Sequence, residues 1–234
     1  MNIVFYRSFD EKIKRNSAFT ERLEKKLAVN HFVEMAIDDD RMYNLRKVKE
    51  ADIIFIFSHG YYHATFHKFA NDYDVEIHRK EIFIGKEHLD YFKNKKVLVF
   101  ACYTAMEGLD SLGEKAVENG CKVYFGFSDR INRDIPEALL DCLSQEEKQA
   151  HVFISDVYSK VFYDVIERAF KRDLTFDQFA KQMKYYLNKE IGERIINRLG
   201  GVQNFRILTD GAISVKQTAD SITVLGDKDL RFIS

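Results

Sequence analysis

Two apolar runs in the first half of the chain end in residues able to do nucleophilic chemistry. The run from Asp52 to Phe57 is followed by Ser58-His59-Gly60, and the run from Lys96 to Ala101 by Cys102-Tyr103-Thr104. A thiol attacks carbonyl carbon as its thiolate, and a neighbouring imidazole takes the proton or stabilises the anion. In such a pair Cys102 is the nucleophile and His59 the base. Gly60 lets the backbone approach a substrate closely, so the N–H groups of Gly60 and Cys102 are candidates for holding the oxygen that becomes negative in a tetrahedral intermediate. A third run, from Lys122 to Phe127, ends at Ser128 and Asp129.

These residues need a scaffold that delivers strand ends to one edge. Apolar runs with no polar alternation suit strands covered on both faces, and they alternate here with helical patterns: a strand at Ile3 to Tyr6, helices at Ser17 to Val29 and Arg41 to Glu50, and a helix from Leu112 to a glycine stop at Gly120. A strand at His31 to Ile37, an excursion from Tyr61 to Lys80, a short strand at Glu81 to Ile84 and a helix at Lys86 to Phe92 complete the first half. The alternation predicts an α/β three-layer domain with a mainly parallel sheet, and ligands bind beyond the carboxyl ends of such strands. Helical periodicity then runs from Pro136 to Leu143, Ser155 to Arg172 and Phe176 to about Leu199. Short runs at Phe205 to Leu208, Ala212 to Val215, Ser221 to Leu225 and Leu230 to Ile233, joined by turns at Asp210-Gly211, Ala219-Asp220 and Gly226-Asp227, predict a β-rich appendage over residues 201–234, packed on the domain of residues 1–200.

The segments DIIFIFSHG, KKVLVFACYTA and SLGEKAVENGCKVYFGFSD resemble the caspase-like cysteine peptidases of clan CD, most closely the bacterial CHAT branch. In that family one strand ends in His-Gly and the next in Ala-Cys, with a polar step after the thiol that Cys102-Tyr103-Thr104 matches. His59 and Cys102 lie 43 residues apart, close to the roughly 50 between the caspase pair. The likeness spans about Ala51 to Leu187 and includes Phe162-Tyr163 and the helix around Phe179. Phe127 stands where a tryptophan is usual, and Phe100 where a small or polar residue often lies two before the thiol. The resemblance implies a caspase-like sandwich, peptide-bond hydrolysis with no metal or organic cofactor, a protein or peptide substrate, activation by a protein partner, a ligand or cleavage, and a bacterial regulatory or defence role. It also places a specificity pocket near Phe100, Ser128 and Asp129.

Other readings stand beside this one. A cysteine in an apolar strand is commonly a small core residue and a histidine after a strand a hydrogen-bond donor; the order and spacing of the pair are what favour the dyad. Cys121 and Cys142 are read as structural. Asp129 either pairs with a basic substrate side chain or closes a turn, and Arg7 offers the opposite charge for an acidic one. Ser58 and Thr104 are orienting groups, and Tyr61, Tyr62 and Phe66 line a groove or pack a loop. His59, His63 and His67 recur every four residues, as zinc ligands on a helix would, but no HExxH occurs and no acidic residue lies between Ser58 and Ala70. A catalytically inactive scaffold and a non-catalytic subunit remain as alternatives.

Composition narrows the partners. The 234 residues carry 36 Lys plus Arg against 37 Asp plus Glu, a net charge of −1, which supplies no field drawing the chain to nucleic acid or anionic lipid. With 46% apolar and 31% charged residues the balance is globular. No apolar stretch approaches the roughly 18 residues of a membrane span. An odd cysteine count without CxxC, and an N-terminus without secretory character, predict a reducing cytoplasm and no disulfides.

Overall fold

A computed structural model describes residues 1–8, 11–27, 31–35, 41–66, 82–131, 144–197 and 205–234. The expected helix at 136–143, Cys142 and His67 lie outside them.

Five strands, β1 (Ile3–Ser8), β2 (His31–Met35), β3 (Ile53–Phe57), β7 (Lys96–Phe100) and β8 (Val123–Phe127), form a parallel sheet in the order β2-β1-β3-β7-β8. An antiparallel sixth strand, β9 (Ile222–Gly226), closes the β8 edge. A separate antiparallel sheet contains β4 (His59–Tyr61), β5 (Ala64–Phe66) and β6 (Ile82–Gly85) in that order. Its first two strands lie at the start of the excursion expected after the run from Asp52 to Phe57, of which residues 67–80 lie outside the described ones.

Side-chain alternation divides the core. Ile3, Phe5, Ile53, Phe55, Phe57, Leu98, Phe100, Val123, Phe125 and Phe127 face one layer of helices. Val4, Tyr6, Ile54, Ile56, Val97, Val99 and Tyr124 face the other. Because both faces are covered, these strands are apolar throughout instead of alternating with polar residues.

The first layer includes α1 (Glu11–Asn16), α2 (Thr20–Leu27), α5 (Gln145–Lys171), α6 (Phe176–Asn197) and α7 (Phe205–Ser221). Helix α5 buries Phe153, Ile154, Val157, Tyr158, Val161, Phe162, Val165, Ile166, Ala169 and Phe170, a stripe that returns every three to four residues and needs a wide apolar partner. The opposite layer holds α3 (Arg41–Glu50), the 3₁₀ segment Lys86–Phe92 and α4 (Leu112–Glu118). A reciprocal cap starts α4: Glu114 N–H donates to Ser111 Oγ at 3.3 Å, and Ser111 N–H to Glu114 Oε2 at 2.9 Å. Among the described residues no helix is long and apolar enough to cross a membrane.

The expected β-rich tail is corrected. Residues 205–221 form α7, and Leu230 to Ile233 contributes only a bridge between Thr175 and Arg231. Leu208, Ala212, Val215, Ala219 and Ile222 are all buried, and their spacing of three to four is helical. Asp210-Gly211, read as a hairpin turn, lies inside the helix. A Cβ on Gly211 would come 2.8 Å from the Phe153 ring, so the glycine permits close helix packing here and does not turn the chain. Of the four predicted tail strands, the one beginning near Ser221 is present as β9.

Candidate functional site

The register between β3 and β7 sets the site. Phe57 pairs with Phe100, partners 43 residues apart, the separation of His59 and Cys102. Ser58 N–H continues the ladder to the Phe100 carbonyl at 3.4 Å. The next residues along both strands therefore leave the same sheet edge on lanes about 4.8 Å apart. Phe57 and His59, like Phe100 and Cys102, are two residues apart and project to the α5 face.

His59 and Cys102 line one pocket, together with Phe57, Phe100, Tyr158, Phe162 and residues from α1 and its C-terminal turn. It encloses about 530 Å³ of empty space, its open mouth included. Cys102 is partly exposed. Gly60 sits hard against the thiol's loop: a Cβ there would lie 2.7 Å from Ala101 Cβ, 2.8 Å from the Cys102 carbonyl oxygen and 3.0 Å from Thr104 Cγ2. Only glycine fits this approach.

The loop carrying Cys102 is tied to β8. Tyr103 N–H donates to the Asp129 carbonyl at 3.2 Å, and Ala105 N–H to the Phe127 carbonyl at 3.1 Å. Tyr103 adopts φ 62°, a left-handed conformation uncommon for a bulky residue. Thr104 is buried and its hydroxyl donates to the Ala101 carbonyl at 3.3 Å. Ser58 is also buried, its hydroxyl donating to the His59 carbonyl at 3.0 Å.

Ile131 N–H points at Cys102 Sγ from 3.5 Å. The Ile131 carbonyl accepts from the hydroxyls of Tyr158 on α5 and Thr218 on α7, the latter at 2.5 Å, and these two hydroxyls lie 2.8 Å apart. Helices α5 and α7 thereby anchor a backbone donor beside the sulfur. Burial pushes the Tyr158 phenol well above the ordinary tyrosine range, so at neutral pH it serves as a neutral hydroxyl. Neither Tyr158 nor Thr218 was singled out from sequence.

Other candidates are placed differently. Phe100 forms part of the pocket wall. Ser128 does not line it; its N–H and hydroxyl reach the Ser221 carbonyl at 2.8 and 3.2 Å, beside β9. Asp129 is exposed, also off the pocket wall, and its Oδ1 accepts the Arg130 N–H at 2.7 Å. Arg7 lies within β1, buried, its guanidinium 3.4 Å from Thr20 Oγ1 and 3.2 Å from Glu21 Oε1. Cys121 is a core residue whose thiol burial pushes up to about 12. His59 begins β4 and His63 follows it in the turn to β5, so these two do not share the helical face a zinc site at that spacing requires. Among the described residues, no three His, Cys, Asp or Glu side chains gather as metal ligands would.

Ile13, Asn16 and Ser17 also line the pocket. Their i, i+3, i+4 spacing marks one helical face and was the available sequence signal for them. Comparison with protein-family models, with curated proteins and with solved structures finds no match.

Proposed function

We propose that this protein is a cysteine endopeptidase of the caspase-like type, acting through a dyad of His59 and Cys102. The observation that carries the reading is the meeting of a histidine and a partly exposed cysteine in one pocket at the carboxyl edge of a parallel sheet, where α/β proteins bind ligands.

Cys102 Sγ bonds to the substrate carbonyl carbon as its proton passes to His59. The Gly60 and Cys102 N–H groups hold the oxyanion, and the C–N bond breaks as His59 protonates the departing amine. Water then adds to the thioester, giving a proton to His59, and the C–S bond breaks to release the acid and restore the thiol. Ile131 N–H favours the anionic sulfur before it attacks and as the C–S bond releases it. The resemblance supports a bacterial regulatory or defence role switched on by a partner, a ligand or cleavage, and the free thiol suits a reducing cytoplasm.

A peptidyl electrophile tests the chemistry. It is expected to modify Cys102 selectively, to lose that selectivity in His59→Ala, and to block peptide cleavage that Cys102→Ala abolishes. Equal, slow alkylation of the cysteines would establish a scaffold instead. Cleavage that survives Cys102→Ala and stops on chelation would establish a metal enzyme.

A further inference from the structure

We infer that the pocket beside Cys102 selects a large uncharged side chain, aromatic or aliphatic, immediately before the scissile bond; this rests on the peptidase reading. Phe57 and Phe100 precede His59 and Cys102 by two residues on the same face, so the cavity opens directly beneath the reacting groups. A residue whose carbonyl meets Cys102 Sγ sends its side chain there.

The wall is aromatic. Phe57 and Phe100 stack with centroids 4.7 Å apart, Phe100 and Phe162 lie 5.1 Å apart, and Tyr158 and Phe162 stack at 5.1 Å with planes 9° apart. Rings locked into a core form a ready-made slot for another ring or an alkyl chain. Among the described lining residues there is no Asp, Glu, Lys or Arg.

Three polar groups on the wall are bonded within the protein. The Ser17 hydroxyl donates to the Ile13 carbonyl, the Ser58 hydroxyl to the His59 carbonyl, and Asn16 Oδ1 accepts from the Ser155 hydroxyl at 2.6 Å. A charged substrate side chain would surrender its hydration against a wall that is largely aromatic. Arg7 and Asp129, the charged candidates named from the sequence, are not among the lining residues.

The test uses the full chain and peptidyl electrophiles differing only in the residue next to the reactive group: Phe, Leu, Asp or Lys, with iodoacetamide as the non-peptide reference. Phe and Leu probes are expected to modify Cys102 faster than Asp and Lys probes by on the order of 100-fold. Faster reaction with Asp or Lys, or equal rates for all four, overturns the specificity while leaving the peptidase reading intact. No probe exceeding iodoacetamide overturns both. Asn16→Asp puts a carboxylate on the wall with almost no change of shape and is expected to raise the Lys-to-Phe rate ratio at least 10-fold, and Ile13→Glu to do likewise if the first variant melts early. An unchanged ratio in a folded variant refutes the assignment of the pocket, as does a changed ratio in Asp129→Asn.

Discussion

Gly60→Ala is the sharpest perturbation of the site. The new methyl would sit 2.7 Å from Ala101 Cβ and 2.8 Å from the Cys102 carbonyl oxygen, where carbon contacts require about 3.5 to 4 Å. Both neighbours are held by backbone, so relief requires β4 and the Cys102 loop to separate by about 1 Å. Overpacking of this kind costs about 1 to 3 kcal/mol, a fall in Tm of about 5 °C for a chain of this size. A 1 Å misplacement of reacting groups costs on the order of 100-fold in rate. Peptidyl-electrophile labelling of Cys102 should therefore slow about 100-fold, while circular dichroism stays native and calorimetry records the modest loss. Gly192→Ala is the control: it lies inside α6 with nothing within 4 Å of the added Cβ and should stabilise by about 0.5 to 1 kcal/mol. Gly60→Ala labelling at the wild-type rate would refute the tight apposition of His59-Gly60 and the thiol's loop.

Three further outcomes are expected. Burial pushes the Cys121 thiol up to about 12 and leaves it almost wholly protonated at neutral pH, so peptide mapping after brief alkylation should find Cys102 modified and Cys121 intact; equal modification would contradict the described burial. Tyr158→Phe and Thr218→Val should each have a small effect, because the other hydroxyl still holds the Ile131 carbonyl, whereas the double variant should slow Cys102 labelling about 5-fold as the carbonyl loses both donors; additive single effects would dismiss the anchor. On α6, burial raises the Glu190 carboxyl, but Lys160 and Arg194 outweigh it and hold the group below its ordinary 4.5; the stabilisation is present above that value and lost as pH falls through the lower folded one, so denaturant titrations should show Glu190→Gln less stable by about 1 kcal/mol near neutrality, after discounting for half-exposed Lys160, and flatter below pH 4.5.

The parallel sheet was legible because burial on both faces leaves a strong mark: IIFIF, and VLVF after Lys96, admit no polar residue for water to face. The tail was misread because a chain of mostly small or polar residues with one Asp-Gly pair resembles a row of turns, while its helical signal is spread over Leu208, Ala212, Val215 and Ala219. In isolation Gly211 lowers helix propensity; only the Phe153 ring packed against it explains its place, and that ring lies far away in sequence. Tertiary packing decided against local preference there, as it also did for Tyr158 and Thr218, whose shared acceptor is a backbone carbonyl invisible to any pattern of side chains.

The two candidate catalytic residues were legible for a different reason. In a parallel pair, register is constant along the ladder, so the partners Ile53↔Lys96 through Phe57↔Phe100 share one offset and impose it on whatever follows them. A one-residue slip would turn each strand's side chains to the opposite layer, placing Phe57 and Phe55 where Ile56 and Ile54 now pack. The core thus penalises a one-residue slip either way from the register that brings His59 and Cys102 to one pocket, and Phe57 lines that pocket together with its partner Phe100. Redesigning that lining to accept charge from within β3 or β7 would disturb the alignment it depends on. Changes of specificity are better tolerated from α1, where Asn16 and Ile13 reach the cavity without belonging to the sheet, which is why the decisive variants lie there.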